Sequence, residues 1–485
     1  KMNKYPSIPR RPSSSSLAPL PQLESCLPTT GRECSSLPPD VKPIAFTLTN
    51  CTLQGHGQVP DVLSWGLQVT LGSTAPGSLP QEMCLMTSTF TNNTFIPTVK
   101  ACSTDNTTQF ATCATRRGGL FDSSGSSLTA ISSASDLPPD VNWAAIDPGN
   151  SVTEKGTIPL QLPSEISLPQ FPFKTIEGGQ NHNTGHLGLG RSSPLLQQLS
   201  DEKGIVAGFG LDAGSQSQSP PRDGHLILGG YDRQKVGSSV KDYNVTHSQT
   251  SGRICSLQVT ITELVLQRPG LEDTVLISRG QQMEACIEPY DTLFRFPQTT
   301  LNAFAEATNF VNGSLPDPSQ FYIVEPGLTY PSSPAFNGSL KITLDYDFVV
   351  EIPTEELAHP LRGISPTGER VTMSNTTELN IFRQVALLDT AVLGKAFLSR
   401  VYLMVQYRST GAVFRLAKSN QGELPIYPVA FDPDCTNSKR KLSKGAIAGI
   451  VIGSLVGAVL IALLVRLLYR RANRLPQQGP AWNKQ

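Results

Sequence analysis

The chain has 485 residues with 39 basic and 39 acidic side chains, so its formal charge is zero and nothing in it calls for a nucleic-acid or acidic-substrate partner. At 38% hydrophobic and 16% charged residues it can bury a large core, enough for two lobes or domains. Forty glycines and 39 prolines favour many short strands and turns over long helices.

Residues 1–43 are rich in Ser, Pro and Leu without periodicity and are expected to be a disordered arm. The chain does not begin with Met and shows no basic-then-apolar leader, so a missing secretory signal is expected. Ile44–Leu53 and Trp65–Leu71 alternate apolar and polar residues, as half-buried strands do. Pro80–Pro97 then reads as a strand running into a polar loop; Cys84 lies among its apolar positions and is expected to be a buried core thiol. Cys102 and Cys113 enclose a short polar loop, and a local disulfide is expected there rather than two free thiols. With nine cysteines in all, at least one stays unpaired unless it bridges to another chain.

Gly185–Ile205 (GHLGLGRSSPLLQQLSDEKGI) lacks the third glycine and the downstream acid of a dinucleotide loop. Leu257–Leu266 has the period of a strand. Ala285–Pro297 (ACIEPYDTLFRFP) is a strand broken by a turn, and Leu301–Phe310 is helix-like. After a basic stalk at 421–444 comes the segment 445–465, whose residues Ala446–Val465 include no charge and are long enough to span a bilayer. Basic residues flank it on both sides, leaving the positive-inside rule nearly tied. Gly445, Gly449, Gly453 and Gly457 share one helix face, which fits either a homodimer seam or the ordinary glycine tolerance of membrane helices. Seven Asn-x-Ser/Thr sequons, at Asn50, Asn92, Asn106, Asn244, Asn312, Asn337 and Asn375, place the large domain on the extracellular or lumenal side. The expected location is the plasma membrane or another secretory-pathway membrane, crossed once, with 466–485 as a cytoplasmic tail.

Two loops carry a family resemblance. The Ala285–Pro297 frame resembles the second active-site loop of pepsin-like aspartic proteases, in which an apolar strand leads into D-[ST]-G. In that frame Glu288 stands in the place of the catalytic Asp, Pro289 in that of the Ser/Thr and Tyr290 in that of the Gly. Pro80–Pro97 resembles the first loop, with Ser88 at the Asp position, Thr89 after it and Phe90 at the Gly position. Gly185–Ile205, Gly224–Val236 and Leu388–Ala417 resemble further segments of the family in order and spacing, while the Tyr-bearing flap expected near Trp143–Leu160 has no match. The match is nearest to the fungal, membrane-anchored branch. It implies an all-β, bilobal fold with lobes at 44–237 and 238–420.

Aspartic proteolysis needs two carboxylates about 3 Å apart sharing one proton. Ser88 cannot take part in that exchange, and the longer Glu288 places its oxygens differently from an Asp. Phe90 and Tyr290, lacking the glycine's freedom, are expected to clash there or to force another loop shape. No H-E-x-x-H, paired metal spacing or G-x-S-x-G elbow is present, so no metal, cofactor or alternative nucleophile is called for. Two functions follow from the resemblance. One is a catalytically inactive, membrane-anchored homologue whose interlobe cleft holds a peptide or cell-wall polymer. The other is an active membrane-anchored endopeptidase working at acid pH.

Overall fold

Period-two alternation becomes strand at Ile44–Leu53, Val62–Leu71 and Gln258–Gln267. In Ile44–Leu53, Phe46, Leu48, Cys51 and Leu53 are buried while Thr47, Asn50 and Thr52 face solvent. The computed structural model describes residues 33–34, 42–55, 61–72, 80–103, 109–125, 129–130, 137–138, 152–164, 166–177, 184–215, 217, 221–237, 239–245, 255–310, 327–331, 337–383, 390–408, 411–422, 425–431, 435–436 and 466. The chain divides into two units, one of residues 36–434 and one of residues 1–35 with 435–485. In the latter, Glu33–Cys34 pairs antiparallel with Cys435–Thr436.

The larger unit is mostly β. Six of its strands close a barrel: Val62–Leu71, Gln81–Ser88, His186–Gly188, Phe95–Pro97, Ile166–Ile176 and Val152–Leu162, the last returning to the first through Thr70 opposite Gln161. Leu67, Leu85, Ile96, Ile158, Phe171 and Leu187 belong to its buried core. This barrel is part of a thirteen-stranded sheet that also takes in Lys241–Asn244, Val401–Arg408 and Gly411–Lys418, so strands from late in the chain complete a sheet built early in it. An eight-stranded sheet is centred on Gln258–Gln267 and Met283–Ile287. The helix foreseen at Leu301–Phe310 spans Gln298–Ala307, starting just after Pro297, whose fixed φ suits a helix N-terminus.

One strand pattern occurs twice. Gln81–Ser88 runs parallel to His186–Gly188, and the returning strand Phe95–Pro97 is antiparallel to that partner and parallel to Ile166–Ile176. In the second sheet Met283–Ile287 runs parallel to Ala391–Leu393; the returning Phe294–Phe296 is antiparallel to that partner and parallel to Ile381–Arg383. The two candidate loops are thus the turns of two equivalent four-strand units.

Among the described residues no helix is long and apolar enough to cross a membrane. The span predicted at 445–465 lies outside the described residues, as do the N-terminal arm apart from 33–34 and 42–43, the Trp143–Ser151 part of the flap region, and Asn106 and Asn312.

Candidate functional site

Ser88 ends its strand opposite Gly188, and its carbonyl accepts the Leu189 N–H at 2.8 Å. Glu288 follows Ile287, which lies opposite Leu393, and its own N–H donates to the Leu393 carbonyl at 3.2 Å. Each loop packs on a glycine of the partner segment. A Cβ at Gly188 would stand 2.4 Å from the carbonyl oxygens of Asn92 and Asn93; one at Gly394 would stand 2.3 Å from those of Asp291 and Leu293. Only a residue without a side chain lets the backbones come this close.

The two loops meet through one carboxylate. Glu288 is 2% exposed. Its Oε2 accepts the Phe90 N–H at 2.8 Å, the Thr89 hydroxyl at 2.9 Å and the Thr89 N–H at 3.0 Å, and its Oε1 accepts the Tyr290 N–H at 2.9 Å. The Thr89 oxygen also lies 3.1 Å from the Ile287 carbonyl, so its single proton serves two acceptors of the opposite loop. Three N–H groups and one O–H thus point at the carboxylate, most of them at Oε2, while Oε1 takes the Tyr290 N–H and a longer approach of the Thr89 N–H at 3.3 Å. Burial pushes Glu288 up to about 7, against the pull of these hydrogen bonds, which favour the charged form. Tyr407 stands near enough for the Glu288 charge to help raise its phenol, after burial, and its hydroxyl donates to the Leu189 carbonyl at 2.7 Å.

Phe90 and Tyr290 do not keep the loops from meeting. Both contribute their backbone N–H to the shared carboxylate, and neither has a positive φ, so neither position needs glycine in this geometry. The Tyr290 ring lies edge-on to His186 at 5.1 Å between centroids, and its hydroxyl donates to the Thr184 carbonyl at 3.2 Å. With Glu288 at 2% exposed, Phe90 at 7% and Pro289 buried, the junction is closed to solvent. The extra methylene of Glu288 has a constructive effect: it carries the carboxylate into the first loop.

The Cys102–Cys113 bridge forms as expected, with Cα atoms 5.7 Å apart. Cys84 is buried but is not a free thiol. It is bonded to Cys51 with Cα atoms 6.0 Å apart; strand Ile44–Leu53 pairs with the first half of Val62–Leu71 and strand Gln81–Ser88 with its second half. Alternation along one strand reports burial and is silent about partners two strands away. A third bridge, Cys255–Cys286, reaches the strand entering the second loop. Asn50, Asn244, Asn337 and Asn375 are exposed, whereas the Asn92 Oδ1 accepts the Ser192 N–H at 3.0 Å beside the first loop.

Sequence reasoning missed the ties that hold the halves in register. The Thr112 and Thr115 hydroxyls donate to the carbonyls of Ser365 and Gly368 at 2.9 and 2.6 Å, Arg370 donates to the Leu63 carbonyl at 2.6 Å, and the Lys395 amine sits over the Trp65 ring. Lys395 directly follows Gly394, the one local signal that could have marked it. Two surface cavities, of about 250 and 360 Å³, open beside helix Gln298–Ala307 and not at the Glu288 junction. Among the described residues no group of three or more His, Cys, Asp or Glu side chains could hold a metal ion. No family model matches the sequence, and no curated protein matches it.

Proposed function

We propose that the chain is a membrane-anchored homologue of the pepsin-like aspartic proteases that has lost proteolysis and keeps the groove between two β-rich lobes for a peptide or polymer ligand. The observation that carries this reading is the state of Glu288. A proteolytic carboxylate must bind water and share a proton with a second acid; this one is buried and is held by donors of Thr89, Phe90 and Tyr290. The position across from it belongs to Ser88, which has no acid to offer. The repeated four-strand unit around the two loops supports the family resemblance independently of the loop residues.

The test is hydrolysis of a denatured protein near pH 4 by the full-length, detergent-solubilised chain, with binding of a statine-type inhibitor measured in parallel. A live dyad grips the statine hydroxyl as it would the transition state. Neither pepstatin-sensitive turnover nor inhibitor binding is expected. Sensitive turnover would replace this reading with that of an active endopeptidase.

A further inference from the structure

Of the four exposed sequon asparagines, Asn337 alone lines one of the two cavities described above. Asn50, Asn244 and Asn375 lie on the strands Ile44–Leu53, Lys241–Asn244 and Arg370–Leu379. Beside Asn337 the wall of the 250 Å³ cavity includes Arg268, Pro269, Leu271 and Asn309. Leu271 is 61% exposed, the most exposed large aliphatic side chain among the described residues. With Pro269 it gives the cavity wall an apolar stretch beside the polar Arg268 and Asn309.

We propose that the cavity seats the oligosaccharide attached to Asn337, with its first N-acetylglucosamine laid against Leu271 and Pro269. The inference rests on the secretory-pathway reading of the large domain. In the transfer, the Asn337 amide nitrogen forms a bond to the anomeric carbon of a lipid-diphosphate-linked oligosaccharide. The carbon–oxygen bond to the diphosphate breaks, the diphosphate leaves with the electron pair, and the amide gives up one proton. The product is an uncharged sugar tethered at the lip of the cavity, so seating it has no cost of bringing two molecules together. A pyranose has an apolar face of C–H groups and a rim of hydroxyls, and the wall offers both complements. Leu271 and Pro269 supply the apolar contact. Arg268 has five N–H donors, of which the Ala307 carbonyl takes one at 2.7 Å and the Thr274 hydroxyl another at 2.9 Å, leaving donors for hydroxyl oxygens. The Asn309 amide can both give and accept.

The experiment uses the full chain from a eukaryotic secretory host. Site occupancy is read by peptide mass mapping, and the rate of glycan release by a peptide-N-glycosidase is followed at each site on the native protein. Release at Asn337 should be slower than at Asn244 by on the order of tenfold, the scale set by covering one aliphatic side chain. Leu271→Ser, with the glycan still attached, should abolish the difference, and the denatured chain should show none. Equal native rates at Asn337 and Asn244 would overturn the seat. An unoccupied Asn337 with other sites occupied would overturn it too, while leaving the secretory reading intact. If every sequon were unoccupied, the secretory reading and the seat would fall together.

Discussion

Thr89 gives both of its hydrogen-bond donors to Glu288, the N–H at 3.0 Å and the hydroxyl at 2.9 Å, across 199 residues of sequence. The contact is buried on both sides and is duplicated by the reach of the same hydroxyl toward Ile287. Thr89→Val keeps the shape of the side chain and removes its donor. It should destabilise the fold by about 1–3 kcal/mol, the cost of leaving a buried acceptor short of a partner. Urea unfolding monitored by tryptophan fluorescence measures it, and an unchanged midpoint would show that the hydroxyl adds nothing to the junction.

Glu288 also sets a direction for the dependence of stability on pH. Its folded-state value of about 7 lies above the ordinary 4.5, so between these limits the folded chain binds a proton that the unfolded chain has released. The stabilisation from this group is therefore fully present below about pH 4.5, falls as pH rises through the window, and is lost above about pH 7. The size is roughly 3 kcal/mol. Glu288→Gln cannot ionise and should flatten the profile over that interval, whereas Thr89→Val should extend it upward, because it removes a bond that favours the charged form. Denaturant midpoints collected across pH 4–8 for the three proteins decide the matter. A wild-type curve that rises with pH through the window would contradict it.

Much of the fold was legible from local pattern. Ile44–Leu53 and Leu257–Leu266 announce themselves by alternation, and the strands found there, Ile44–Leu53 and Gln258–Gln267, match within a residue. The positions of Ser88 and Glu288 were legible from their frames. What those residues do was not, because it depends on a distance between segments some two hundred residues apart. Side-chain size at Phe90 and Tyr290 pointed to a clash or a changed loop shape, yet the groups that join the loops there are their backbone N–H donors, which every non-proline residue carries. The Cys51–Cys84 bridge escaped for a related reason: its partners sit two strands apart in a sheet whose order no local pattern encodes.

The Cys102–Cys113 bridge ties the segment Val99–Ser103 to helix Phe110–Arg116, and that helix holds the turn at Ser365–Gly368 through Thr112 and Thr115. Replacing both cysteines by alanine should cost about 2–4 kcal/mol by freeing a short loop in the unfolded chain. It should also speed amide hydrogen exchange in the 364–370 turn, since the helix that anchors it loses its brace. Faster exchange confined to 99–116 would show that the helix holds the turn without help from the bridge.

On the reading proposed above, placing acids at both loop positions tests whether the acids alone separate this chain from an active protease. The Tyr290 N–H donates to Glu288 two residues before it, and the Phe90 N–H is in the equivalent place to serve a carboxylate at position 88. Ser88→Asp with Glu288→Asp would thus give each loop an acid with a donor of its own, and shortening Glu288 by one methylene withdraws it from the first loop by about 1.5 Å. The loops already approach each other, so their geometry is not the obstacle. Access is: Glu288 is 2% exposed, Phe90 is 7% exposed and Pro289 is buried, so the junction is closed to solvent. The double variant should therefore show no pepstatin-sensitive turnover near pH 4. Adding Phe90→Gly and Tyr290→Gly should open the junction and give weak, inhibitor-sensitive cleavage, held down because a misplacement of about 1 Å can cost a hundredfold. Turnover by the double variant alone would mean that the apolar cover moves aside for substrate, and that the missing acids were the whole of the loss.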